Sequence, residues 1–230
     1  MNRSVFYALF LFWIVCTHTA NAQEKTRNVL IELGVGPNAY KGELSKGYEK
    51  WASAFHAALQ FNRSKKINFR LGLRFGHTIG QDLHFKPSSK NAQVNTFVKT
   101  NFWGANMDVM LHLLKKEHVR VYLSQGLGLL HFAPKDAEGH ALVDQTDTRD
   151  ANETYSLNTA FFPTSLGIAY HLDNNYGASL QFSLLNPFND YLDNISQWGN
   201  SSDKDNILSV RLSFLIPLYL ESKNERALSR

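Results

Sequence analysis

Three sets of side chains in this 230-residue sequence are of types that do chemistry. The first is six charges, Glu32, Arg70, Arg74, Asp108, Arg120 and Arg211, each on the polar side of an otherwise apolar alternating stretch. Held away from water, such charges must pair across neighbouring strands, because an unpaired buried charge is costly. They predict a structural salt-bridge network or, alternatively, a gated path for ions. The second set is histidine: nine are scattered without the spacing of metal ligands. His56, His112 and His171 fall on the polar parity and read as polar filler. His131, with Ser156 or Asp136 near it in sequence, is the one place where a base-assisted nucleophile could form, and no signature surrounds it. The third set is a run of acids, Asp136, Glu138, Asp144, Asp147, Asp150 and Glu153, whose oxygens suit calcium. Their spacing matches neither an EF-hand nor a repeat, so they read as a solvated loop. The expectation is no catalytic residue, no cofactor and no metal. Sequons at Asn62, Asn152 and Asn200 carry meaning only in a eukaryotic secretory pathway.

The elements that must position these residues all show a period of two. Between Ile207 and Ile216, Leu208, Val210, Leu212, Phe214 and Ile216 share one parity, with Ser209, Arg211 and Ser213 on the other. That is a strand with one apolar and one polar face. The same pattern recurs at about Asn28 to Tyr40, Trp51 to Asn62, Ile67 to Gly76, Thr96 to Leu114, Val119 to Leu129, Ser156 to Leu172 and Tyr176 to Leu184. Gln125 is the main blemish on the apolar parity. The eight strands are joined by short turns after the second, fourth and sixth, and by long polar segments after the first, third, fifth and seventh.

Such regular asymmetry has no physical reason in a soluble barrel. It is expected of an all-β, eight-stranded antiparallel up-and-down transmembrane β-barrel, with short turns and both termini on one side and long loops on the other. The apolar parity then meets lipid and the polar parity, rich in Gly, Ser and Ala, fills a narrow interior. Aromatics near the strand ends predict two belts at headgroup depth. Tyr40, Trp51, Phe102, Trp103, Phe132, Phe161, Phe162, Phe188 and Tyr191 form the loop-side belt, and Phe61, Tyr170, Tyr176 and Tyr219 the turn-side belt.

The N-terminus fits export. Arg3 precedes an apolar run from Val5 to Cys16, followed by Ala20-Asn21-Ala22, which predicts a signal peptide over 1–22. The run is too short for a spanning helix, which needs about 20 residues. Trp13-Ile14-Val15 lacks the small residue that a lipidated Cys16 would need before it. Cys16 is the only cysteine, so the mature chain makes no disulfide. About 208 residues remain for one domain, the barrel at 23–220, before a polar periplasmic tail at 221–230. A net charge of +4 without a basic block argues against nucleic acid.

The signal peptide, the eight alternating strands and Asn189-Asp190-Tyr191-Leu192-Asp193-Asn194-Ile195 before the last strand together resemble a known family. It is that of the porin-like, OmpA-type small outer-membrane β-barrels, as found in Bacteroidetes-like bacteria. The resemblance spans about Asn28 to Tyr219. It implies residence in the bacterial outer membrane, with outer-membrane lipid, the barrel-assembly machinery and a possible extracellular ligand at the outer loops as partners. Such barrels usually end on an aromatic residue. Here Leu220 and the charged segment Glu221 to Arg230 follow Tyr219. The expected role is non-enzymatic, in envelope structure or surface binding. A porin-like conducting barrel is the alternative, and a lipid acyl-chain enzyme the third reading.

Overall fold

The computed structural model describes residues 29–88, 94–150, 153–174, 176–199 and 204–218. The expected leader at 1–22, Tyr219 and the tail at 221–230 lie outside the described residues. Eight strands follow in chain order: β1 (Val29–Lys41), β2 (Trp51–Phe61), β3 (Ile67–Gln81), β4 (Phe97–Lys115), β5 (Val119–Lys135), β6 (Asn158–His171), β7 (Gly177–Pro187) and β8 (Asn206–Leu218). Sequential strands pair antiparallel, and β1 also pairs with β8, so the sheet closes into an up-and-down barrel. Closure removes the edges at which unpaired backbone groups would face lipid.

Alternation decides which side chains go where. In β3, Leu71 and Leu73 are each 48% exposed, while Arg70 between them and Phe69 is fully buried. In β8, Leu212 and Phe214 are exposed and Arg211 and Ser213 buried. A soluble barrel would reverse these faces. No helix among the described residues is long and apolar enough to cross a membrane. Strands of 11 to 19 residues meet or exceed the roughly 9–11 that a tilted strand needs to span a bilayer.

Two departures from strict alternation have local causes. Gln125 does face outward on β5, and there it accepts a hydrogen bond from Thr164 Oγ1, directly opposite on β6, at 2.8 Å. Its amide donates to the Pro163 carbonyl at 3.3 Å, so the polar pair satisfies itself within the apolar belt. In β4, a bulge between His112 and Leu114 turns both Leu113 and Leu114 outward.

The connections at 62–66, 116–118 and 172–176 are short; those at 42–50, 82–96, 136–157 and 188–205 are long and lie at the opposite end. These long connections are loops one to four. The aromatic belt differs from expectation. Trp51, Trp103, Phe162 and Phe188 face outward near the loops, and Tyr170 and Tyr176 near the turns. Tyr40, Phe102, Phe132 and Phe161 do not: all four are buried in the lumen. They share the inward parity of Asn38, Asn106, Ser124 and Ser165, so the pleat sends them inside whatever their size.

Candidate functional site: the filled lumen and its outer cap

Four of the six predicted lumen charges meet at one level of the barrel. Arg70 on β3 and Asp108 on β4 are directly opposite each other. Arg70 donates to Asp108 Oδ2 from Nε at 2.9 Å and from Nη2 at 2.6 Å, a two-pronged contact that suits a guanidinium. Its Nη1 reaches Glu32 Oε2 at 3.3 Å and Gln181 Oε1 at 2.6 Å, and Nη2 also reaches Ser124 Oγ at 3.4 Å. The five N–H donors of this guanidinium have five contacts. Glu32 is shared with Arg211, whose Nη2 donates to Oε1 at 3.0 Å, and the same oxygen accepts from Ser213 at 3.0 Å.

Gln181 is the hub that the sequence did not single out. Its Oε1 accepts from Arg70, from Arg211 at 2.9 Å and from the Tyr122 hydroxyl at 2.9 Å. Its amide continues the chain to Ser183, which also accepts from Ser165. The signal was present as a glutamine on the polar parity of β7, but an uncharged residue says nothing about which charges it will bridge.

Arg74 lies in the layer above. It is bonded to a neutral partner, Asn106 Oδ1, from Nε at 3.2 Å and Nη2 at 3.0 Å, and its guanidinium sits 5.3 Å over the Phe161 ring. Asn106 in turn donates to Asp108 at 2.6 Å, so Arg74 touches the network only through an amide. Arg120 stands apart and corrects the expectation. It sits opposite Lys115 at the short-turn end, half-buried, six residues before the Gly126 that faces Asp108. That separation is about 20 Å along a strand, beyond the reach of any side chain.

Apolar layers close the network on both sides. Toward the turns lie Met110, Tyr122, Ala169 and Leu215. Toward the loops, Phe102, Leu130, Phe132, Phe161, Leu185 and Ile207 fill the mouth, and Leu44, Leu142, Leu192 and Ile195 descend onto them from the loops. An internal cavity beside His56, Arg74 and Arg211 has room for about one water molecule. His56, His112 and His171 are buried inward, as their parity predicts.

The loops are tied down over this mouth. Arg149 of loop three donates to the carbonyls of Leu142, Val143 and Glu153 and to Asn194 Oδ1 of loop four at 3.2 Å. Asn194 also accepts from the Tyr155 hydroxyl at 2.8 Å and donates to Thr148 at 2.7 Å. Its backbone sits at φ 70°, the left-handed region that asparagine tolerates better than most residues. Phe132, Tyr155 and Tyr191 stack in sequence, with ring centroids 6.1 and 4.4 Å apart. The segment Asn189 to Ile195, singled out in the sequence, is thus the keystone of the cap.

The rival chemistry does not assemble. His131 faces outward, pairs through Nδ1 with Asn158 at 3.0 Å and lies against Trp103. Asp136 is taken by His140 and Gln145, and Ser156 accepts the Asn158 amide. In the acidic loop, desolvation pushes the half-buried Asp136 carboxyl up, but the hydrogen bonds from Gln145 and the His140 amide together with the His140 ring outweigh it and hold Asp136 below the usual carboxylate range. Three other acids, Glu43, Asp193 and Asp205, come together beneath the outer rim; no spacing in the sequence links them, because they come from loops far apart in the chain.

No protein-family model matches the chain, and no curated protein matches it in sequence. Among solved structures it is similar to Neisserial surface protein A, NspA, at 8% identity over 83% of this chain and 97% of that one, with a TM-score of 0.53. It is also similar to Ail, the attachment invasion locus protein of Yersinia pestis, at 10% identity over 83% and 99% of the two chains, TM-score 0.48. For the N-terminal β-barrel domain of Pseudomonas aeruginosa OprF the values are 12% identity, 81% and 97% coverage, and a TM-score of 0.40. The fold is that of the small bacterial outer-membrane β-barrels, and the exposed leucine, valine, isoleucine and phenylalanine belt is the surface this fold presents to lipid.

Proposed function

We propose that this chain is a non-enzymatic integral outer-membrane protein that holds a rigid, sealed loop cap at the cell surface, for envelope structure or for binding through that cap. The observation that carries the reading is the filling of the mouth: Leu192 and Ile195 of loop four are buried among Tyr40, Phe132 and Phe161 of the strands. A loop that lines a conducting pore would keep a polar, wet face toward the axis. Below it, a satisfied charge network between two apolar layers leaves ions no continuous polar path. An eight-stranded barrel is in any case about filled by its own side chains. The cleft between loops one, two and four, edged by Lys46, Asp82, His84 and Lys86, supports a binding role at the outer surface. Outer-membrane lipid and the barrel-assembly machinery are the partners that a barrel of this kind needs.

Planar-bilayer recording tests the reading against conduction. Purified, refolded protein is expected to leave the bilayer silent. Discrete currents that change when Arg70 or Arg211 is neutralised would favour the conducting barrel instead. For the enzyme reading, His131→Ala is expected to leave lipid acylation in the host unchanged; a loss of acylation would overturn the non-enzymatic assignment.

A further inference from the structure

Beneath the outer rim, loop one and loop four bring Glu43, Asp193 and Asp205 together, each no more than 3% exposed. One carboxylate oxygen of each lies within 4.8 Å of the other two. That is the largest separation two oxygens can have on a common ion bound at about 2.4 Å. Among the described residues, no lysine or arginine forms an ion pair with Asp193 or Asp205. Like charges this close and this dry oppose one another's ionisation. Burial, then the negative charge of Asp193, Asp190 and Glu43, holds the Asp205 carboxyl well above its ordinary range. Burial likewise raises Asp193, to about 6.

The hydrogen bonds fix the two aspartates and leave one oxygen over. Asp193 Oδ2 accepts from the Tyr40 hydroxyl at 2.5 Å and from the Leu44 amide at 3.3 Å, and Oδ1 from the Ile195 amide at 2.9 Å. Asp205 Oδ2 accepts from the Leu192 amide at 2.6 Å. Among the described residues, no hydrogen bond reaches Asp205 Oδ1, which is sealed from water. The hydroxyl beside it, on Tyr40, carries a single proton, and Asp193 already takes it. Two glycines keep the space open. A Cβ on Gly42 would collide with the Tyr40 hydroxyl and Asp205 Oδ1, and one on Gly199 with the Glu43 carboxylate.

We propose that Glu43, Asp193 and Asp205 bind a hard divalent cation, Ca²⁺ by preference, which clamps loop one to loop four and to the start of β8. An all-oxygen donor set without histidine or cysteine excludes the softer transition metals as the fitting ions. Three carboxylates from irregular backbone suit the flexible coordination of Ca²⁺ better than the strict, water-rich octahedron of Mg²⁺. The ion would supply the positive charge that Asp205 Oδ1 faces without. The clamp is independent of whether the cap binds a ligand.

The test uses the mature protein refolded in detergent micelles and stripped with chelator. Calorimetric titration with CaCl₂ is expected to show one saturable site, with Mg²⁺ weaker by about tenfold or more. Terbium, as a stand-in for Ca²⁺, is expected to luminesce on tyrosine excitation, because Tyr40 lies against the site, and Ca²⁺ to quench that signal by competition. Asp205→Asn and Glu43→Gln are each expected to weaken Ca²⁺ binding by about tenfold or more while keeping heat-modifiable migration on gels. If Asp205→Asn fails to fold, Glu43→Gln carries the comparison. Absence of saturable Ca²⁺ binding to the unsubstituted protein overturns the proposal. So does binding that survives in folded variants, which would put the ion on another acidic stretch such as Asp136 to Glu153.

Discussion

Replacing Arg70 with methionine keeps much of the side chain's length and removes a guanidinium whose five donors are all engaged in the lumen. What matters is the state of the partners left behind. Glu32 keeps Arg211 and Ser213, each at 3.0 Å. Among the described residues, Asp108 keeps the Asn106 amide at 2.6 Å as its one hydrogen-bond donor, although it is 1% exposed and lies between two apolar layers. Removing one partner of a buried ion pair costs about 3–5 kcal/mol, most of it the penalty of the stranded charge. Arg70→Met is therefore expected to lose stability in that range. Adding Asp108→Leu removes the stranded carboxylate, so the double variant is expected to recover most of the loss. Urea unfolding in lipid vesicles, followed by tryptophan fluorescence, gives both values if the slope with urea is unchanged. An Arg70→Met variant within about 1 kcal/mol of the parent would refute the reasoning. So would a double variant whose loss equals the sum of the singles, because coupled neighbours must not add.

Arg74→Met is expected to cost clearly less than Arg70→Met in the same assay, because the Arg74 guanidinium bonds only a neutral amide and strands no carboxylate when removed. Asn194→Ala gives up three side-chain hydrogen bonds and a tolerated left-handed backbone, so loops three and four are expected to be nicked faster by external protease while the barrel still resists urea. Gln125→Leu with Thr164→Val replaces a self-satisfied polar pair in the lipid belt by apolar groups. The unfolding free energy of that double variant is expected to stay level or rise by up to about 1 kcal/mol, whereas Thr164→Val alone, which strands the glutamine side-chain carbonyl, is expected to lower it.

Much of this architecture was legible in the sequence because the barrel obeys one rule everywhere. A period of two, eight repeats and alternating connection lengths are local properties, and they placed the strands, the closure and the lipid face. The charges on the polar parity followed from the same rule. Arg120 shows where parity stops helping: it gives a face but no height, and the turn at 116–118 puts that residue at the short-turn end of the barrel, away from the network. Tyr40, Phe102, Phe132 and Phe161 show the opposite error, since a preference of aromatic rings for the headgroup region was allowed to outweigh their inward parity. The segment Asn189 to Ile195 stood out in the sequence, but nothing local showed that it caps the barrel or that its Asp193 meets Glu43 and Asp205. Both depend on how loops one, three and four fold over the mouth, which is set by long-range packing on those same inward aromatics.

The claim on which the rest depends is that the alternating leucines meet lipid and the alternating charges do not meet water. Nitroxide labels on single cysteines, introduced at Leu71 and Leu212 in a Cys16-free chain and reconstituted into lipid vesicles, measure this directly. Collisions with oxygen dissolved in the bilayer, and protection from a water-soluble nickel complex, are expected at both positions. Labels at Leu71 and Leu212 that the aqueous nickel complex reaches freely would contradict the inverted barrel and return the chain to a soluble fold.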